Sequence, residues 1–299
     1  MRKIFNICFA FFTTLMIFDI LIIDSSLAEN GDAQKANSIS EFCTQRLNSI
    51  VGPSDEAQIK KICGEAKALE GCSSELGSPI FHFQRQGTDT RRGKRILSIS
   101  LIHGDERPSG AVNRAWMSRL DQIDPRNTWR VVPIANPDGM TSNTRFNSHK
   151  VDLNRNFPSK DWQKTALDYW KKSTHSDARR YPGEAAASES ETRCLMKHIE
   201  EFKPDFIISV HTPLGVLDFD GPKISNPGFH PLPWVGLGNF PGSLGRYMWM
   251  DRKVPVLTIE LKGNDGIKKL EEFDKLQDIV GTVAIQAGQL LRKDTSVKR

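Results

Sequence analysis

The stretch ILSISLIHGDERPSG, Ile96 to Gly110, changes character in its middle. Its first seven residues are mostly Ile and Leu, the composition of a strand buried on both faces. His103 follows them, and Glu106 comes three positions later. An imidazole and a carboxylate are thus placed where a strand gives out. In open α/β sheets that is where ligands bind, beyond the C-terminal ends of the strands. A surface loop carries such a pair by chance, so the reading turns on whether other strands end in the same chemistry.

They do. From about residue 79, apolar strand candidates alternate with amphipathic helices: PIFHFQ, RILSISLI, a helix near 109–120, WRVVPIA, a helix near 187–202, DFIISV, VPVLTIEL and a final helix near 267–291. This order predicts an α/β fold with the sheet covered by helices on both faces. DFIISV ends at His211, and VPVLTIEL ends on Glu260. Three separate strands therefore bring two imidazoles and two carboxylates to one edge of the sheet. Zinc in hydrolytic sites takes three protein ligands from His and Glu and keeps a fourth position open. His103, Glu106 and His211 meet that count, which leaves Glu260 to act as a base. His82, His149, His175, His198 and His230 lack this context and read as structural or surface residues. Segments 136–186 and 212–250, rich in Gly, Pro and Asn, are expected to be loops, and loops of that length usually serve function.

The chain has 299 residues, enough for one large domain or one domain with a small appendage. Its net charge of +5 is diffuse, and no basic run is interleaved with aromatics, which argues against a nucleic-acid partner. MRKIFNICFAFFTTLMIFDILIIDSSLAEN has a basic start, an apolar run and small residues before Ala28, the pattern of a secretory signal peptide. Cleavage after Ala28 predicts an exported protein, periplasmic or secreted, with no stable membrane insertion after processing. Four cysteines then remain, Cys43, Cys63, Cys72 and Cys194, and in an exported chain they are expected to form disulfides, with three connectivities open. Residues 38–69 have helical spacing: Ile59, Ile62, Ala66 and Leu69 share a face behind the Ser54-Asp55 start signal. Cys43 and Cys63 lie on separate predicted helices and could tie them together. The expected organisation is a signal peptide (1–28), a short helical N-terminal extension (29–72) and a catalytic domain (73–299). Neither Gly-x-Ser-x-Gly nor a phosphate-binding Gly-x-x-x-x-Gly-Lys-Ser/Thr occurs, and GLGNFP has proline where a dinucleotide fingerprint needs glycine.

As an ordered set, His-Gly-Asp-Glu after a strand, Asn136-Pro137-Asp138-Gly139, VDLNRNFP (151–158), the strand-ending His211 and TIEL around Glu260 resemble the zinc carboxypeptidase family over roughly residues 75–292. The resemblance implies a mixed, mostly parallel central sheet and one Zn2+ held by His103, Glu106 and His211. It implies Glu260 as general base and acid, Arg145 as the group that polarises the scissile carbonyl, and Asn154 with Arg155 as the grip on a substrate carboxylate. Two departures stand out. Asp105 replaces an arginine that digestive members carry between the first two ligands. Tyr247 is the only tyrosine between His211 and Glu260, while Phe240 lies nearer the expected place of the tyrosine that closes over substrate.

HTPLGVLDFDGP (211–222) and FPGSLG (240–245) are similar to the murein tripeptide amidases, which cleave the γ-D-glutamyl–diaminopimelate amide of bacterial wall peptides. That resemblance implies a peptidoglycan-derived peptide as substrate. The second ammonium–carboxylate centre of diaminopimelate calls for acids, and Asp218, Asp220 and Asp105 are the candidates. Alternatives are an exported zinc carboxypeptidase acting on another wall or protein peptide, a desuccinylase or aspartoacylase type of enzyme, and a catalytically silent binding module of the same fold. VDLNRNF and the export signal argue against small-metabolite chemistry, and an intact Glu260 argues against silence. The sequence carries no signal for oligomeric state.

Overall fold

The computed structural model describes residues 38–224, 232–263 and 270–297, so the expected signal peptide and residues 29–37 lie outside it. Seven strands form one sheet: β1 (Lys67–Ser73), β2 (Pro79–Arg85), β3 (Arg95–Ser100), β4 (Thr128–Val132), β5 (Phe206–His211), β6 (Leu214–Asp220) and β7 (Val256–Lys262). Their spatial order is β1-β2-β4-β3-β5-β7-β6. The four central strands β4, β3, β5 and β7 are mutually parallel, and antiparallel neighbours close both edges. This is the mixed, mostly parallel sheet that the family resemblance implies.

Alternation along the strands splits the core in two. Ile96 of β3 and Phe206, Ile208 and Val210 of β5 face one cluster. That cluster is completed by α1 (38–48), α2 (Glu56–Gly64), α3 (Arg107–Asp121) and α7 (Leu270–Val297). Leu97 and Ile99 of β3 and Ile207 of β5 face the other, under α6 (Ser190–Phe202). Both faces are therefore covered, and the parallel strand ends are the open part of the sheet.

Several boundaries differ from the sequence reading. The helix expected to run to Leu69 stops at Gly64, and Leu69 lies in β1, where Lys67 pairs with His82 and Ala68 with Phe81. The helical spacing of Ala66 and Leu69 is coincidental, because pairing with β2 overrides the local period. β1 thus joins the main sheet from within the N-terminal segment. Disulfides Cys43–Cys63 and Cys72–Cys194 resolve the connectivity: the first ties residues 38–48 to α2, and the second ties β1 to α6.

The segments read as loops contain structure too. Residues 136–186 hold α4 (Pro137–Ser142) and α5 (Trp162–Ser173), and 212–250 holds β6. Strand β3 ends at Ser100 rather than His103, because Leu101 takes a left-handed φ of 52°. Such a conformation in a bulky residue persists only where its surroundings impose it. Among the described residues no helix is long and apolar enough to cross a membrane.

Candidate active site

The turn after β3 is held by the Asn136-Pro137-Asp138-Gly139 segment. Asn136 caps α4 by accepting from the Gly139 amide (2.8 Å), and its Nδ2 donates to the carbonyl of Ile102 (3.3 Å). Asp138 accepts from Ser74 Oγ and the Leu76 amide, which pins the β1–β2 connection beside it. Gly104 packs so closely on Gly139 that a Cβ there would lie 2.0 Å from the Gly139 carbonyl carbon. Glycine is required at that approach. Glu106 occupies the N-cap of α3 without making a side-chain capping bond, so its carboxylate is free to face the cleft.

Three expected ligands converge. His103 Nδ1 lies 2.8 Å from Glu106 Oε1, His211 Nδ1 lies 2.9 Å from Glu106 Oε2, and the two Nδ1 atoms are 3.2 Å apart. All three side chains are buried, and one donor atom from each falls within 4.8 Å of the others. Facing imidazole lone pairs repel unless a proton or a cation lies between them. The outer nitrogens are already engaged: His103 Nε2 donates to Asp152 Oδ1 (3.1 Å), and His211 Nε2 lies 2.8 Å from Ser209 Oγ. Outer-nitrogen partners of this kind fix the tautomer and ring orientation of metal-bound histidines. The donor set and its orientation fit a zinc ion.

Asp152 is the residue the sequence reading missed. It is fully buried, and its second oxygen accepts from Arg145 Nε (3.1 Å) and Nη2 (3.0 Å). Burial opposes its charge, but Arg145 and His103 outweigh burial and hold its pKa well below the usual carboxylate range. One carboxylate therefore orients both a candidate ligand and the candidate carbonyl-polarising arginine. The sequence held it inside VDLNRNFP, with no spacing to link it to His103. Ser209 was legible in principle, because it stands two residues before His211 and so on the same face of β5.

Glu260 lies within β7, two residues short of its end, and is the register partner of His211. Directly paired strand residues point to the same side of the sheet. Glu260 Oε2 accepts weakly from the Leu214 amide (3.4 Å). Burial raises its pKa above the ordinary carboxylate value, with His211 pulling the other way. On β6, Val216 pairs with Glu260 and Asp218 with Thr258, so Asp218 and Asp220 share the face of Glu260. Burial, reinforced by Asp218, pushes Asp220 to about 7, and burial also raises Asp218.

These groups line a cavity of about 850 Å³, together with Arg145, Asn154, Arg155 and Phe240. Arg155 is 9% exposed and lies 4.5 Å over the Phe240 ring, with Nη1 on the carbonyl of Asn154 (2.7 Å). Its Nε has no partner among the described residues. Asn154 spends its Oδ1 on the Leu244 amide (2.9 Å), which leaves Nδ2 for other contacts. Tyr247 is buried against Phe157 and bonds Arg252, so it is a core residue, and Phe240 is the aromatic at the cleft. Guanidinium and carboxylate groups thus line the same cleft.

Comparison with known proteins gives three levels of likeness. The catalytic-domain family model of succinylglutamate desuccinylase/aspartoacylase matches residues 92–194, which include His103 and Glu106 but stop short of His211 and Glu260. Murein peptide amidase A of Vibrio campbellii (strain ATCC BAA-1116) is 32% identical over 198 residues, covering 63% of this chain and 76% of that protein. The crystal structure of the murein-tripeptide amidase of Escherichia coli O157 superposes with a TM-score of 0.50 at 23% identity, over 73% of this chain and 91% of that one. Bovine thrombin-activatable fibrinolysis inhibitor, solved with a tick carboxypeptidase inhibitor, superposes with a TM-score of 0.57 at 17% identity, over 80% and 94%. At those identities the two superpositions speak for the fold alone.

Proposed function

The chain belongs to the zinc carboxypeptidase-like family, near its murein peptide amidases, and on that premise we propose that it hydrolyses peptidoglycan stem peptides at the γ-D-glutamyl–meso-diaminopimelate amide. The observation that carries the proposal is the convergence of His103, Glu106 and His211 beside Glu260 in a cleft lined by arginine and carboxylate side chains. His103, Glu106 and His211 would hold one zinc ion. That ion supplies the Lewis acidity that makes water a nucleophile near neutral pH.

The chain's own groups do the rest. Glu260, its pKa raised by burial, takes the proton of the attacking water and returns it to the leaving amine. Arg145, clamped by Asp152 through Nε and Nη2, turns Nη1 towards the cluster, 3.5 Å from Glu106 Oε1, where charge builds on the carbonyl oxygen. Arg155 and the free amide of Asn154 hold the carboxylate of the leaving residue, with the Phe240 ring 4.5 Å from the guanidinium. Asp218 and Asp220 receive the side-chain ammonium of diaminopimelate. The same reading takes residues 1–28 as a signal peptide that exports the enzyme to the wall, 29–72 as an N-terminal extension and 73–299 as the catalytic domain.

The test is direct. Zinc-loaded protein is incubated with L-Ala-γ-D-Glu-diaminopimelate, and released diaminopimelate is followed by mass spectrometry. Wild type is expected to release it. Glu260→Ala should keep stoichiometric zinc and lose activity by about 10²–10⁴-fold, whereas His103→Ala should lose the zinc itself. No release from folded, zinc-loaded wild type would remove the proposed substrate, and equal zinc content in His103→Ala would remove the ligand assignment.

A further inference from the structure

The aspartate that replaces the usual arginine between the first two ligands is not idle. Asp105 Oδ2 accepts from Arg179 Nη2 at 2.9 Å, and both residues line the cleft beside His103 and Glu106. Arg179 belongs to a short helical turn, Ala178–Arg180, that is held from two sides. Its carbonyl accepts from Arg145 Nε (3.1 Å), and its amide donates to Asp177 Oδ1 (2.9 Å). A guanidinium absent from the chain between His103 and Glu106 is thus brought against Asp105 by a distant turn.

The geometry points to Arg179 as the residue that binds a free carboxylate on the acyl side of the scissile amide, which makes the enzyme selective for γ-linked glutamyl substrates. This rests on the proposed function and deepens it. In an α-linked peptide the glutamyl α-carboxyl is consumed in the amide. In a γ-linked one it stays free, close to the carbonyl under attack. The leaving residue brings a second carboxylate, so two anions flank one bond.

Two guanidiniums with different supports meet those two anions. Arg155 is buried over Phe240, and Arg179 is pinned by Asp105 at the cleft with its side chain 58% exposed. Arg145 is committed to Asp152 and to the carbonyl oxygen. An ion pair as exposed as Arg179–Asp105 contributes little to stability. Its effect is to hold a five-donor fork in one orientation, and a fork so held can take a carboxylate through two parallel bonds. Asp105 Oδ1 is buried without a partner among the described residues, so the aspartate keeps an acceptor free while it orients the arginine.

The experiment compares two tripeptides that differ at one group: L-Ala-γ-D-Glu-diaminopimelate, and the same peptide with the glutamyl α-carboxylate as carboxamide. Zinc-loaded full-length protein is assayed by steady-state kinetics on both. Wild type is expected to favour the free acid by about tenfold or more in kcat/KM, as sites built around a specific polar partner do. Arg179→Gln should collapse that ratio towards 1, chiefly through KM on the acid, and Arg179→Lys should restore part of it. A wild type without preference, or a ratio that survives Arg179→Gln, overturns the assignment of Arg179 and leaves the proposed function standing. If folded, zinc-loaded wild type cleaves neither peptide, the proposed function falls and this inference falls with it.

Discussion

His103 works as a candidate ligand because Asp152 decides which of its nitrogens carries the proton. With Nε2–H donated to Asp152 Oδ1, the lone pair of Nδ1 faces Glu106 and His211. Asp152→Asn is therefore expected to lower zinc affinity about 10–100-fold, the usual cost of losing a partner to a metal-bound histidine. Competition with a chromogenic chelator measures it, and an unchanged affinity would show that Asp152 serves Arg145 alone. His103, Glu106, His211 and Glu260 were legible in the sequence because each stands at or near the end of a recognisable strand. Asp152 was not, because the contact spans 49 residues and the chain between them has no period that reports it.

At the scale of elements, the turn after β3 is rigid because backbone meets backbone. Gly104 rests on Gly139, and Leu101 is held in a left-handed conformation just before it. Gly104→Ala should cost about 1–3 kcal/mol by overpacking and should weaken zinc binding as well, since both candidate ligands of the turn shift with it. Urea unfolding and zinc titration on one sample check the two effects together; lost stability with intact affinity would separate the turn from the site. The edge strand β1 is tied to α6 by Cys72–Cys194, across 122 residues of chain. Removing both cysteines as alanines should cost about 2–5 kcal/mol, read as a lower urea midpoint. The helix pattern through Leu69 misled because an edge strand paired on one side only, here with β2, need show no period of its own.

For the whole molecule, the core sets an acid limit. His82 on β2 and His198 on α6 lie with ring centroids 4.9 Å apart, are 3% and 0% exposed, and leave three of their four ring nitrogens without a partner. Burial, with Arg130 nearby, lowers His82 to about 3; burial, with His82 nearby, lowers His198 to about 2. The unfolded chain, with histidines near 6.5, binds more protons than the native state below that pH. Stability from this pair is thus fully present above about 6.5 and is lost as pH falls through it towards 3. At pH 5 the loss is about 2 kcal/mol per histidine, from 1.36 kcal/mol per pH unit below the unfolded pKa. His198→Leu should flatten the acid limb of a stability–pH curve, and a limb of unchanged slope would assign it to other groups. Glu191 acts in the opposite sense. Burial raises it to about 7, so its native state holds the extra proton and loses that advantage as pH rises from 4.5 through 7. Glu191→Gln should accordingly raise stability at pH 8 relative to pH 5, by the same unfolding assay.

Composition and period along the chain were enough to read the α/β class and the strands that carry the candidate ligands and Glu260, because those signals are local: a buried strand is apolar, and its end is where a polar group is exposed to the cleft. The disulfide between β1 and α6, the bond of Asp152 to His103 and the Asp105–Arg179 pair are contacts between segments far apart in the chain. No local pattern encodes such a pairing. It exists only once the sheet order and the long segments after β4 have brought the partners within hydrogen-bonding distance.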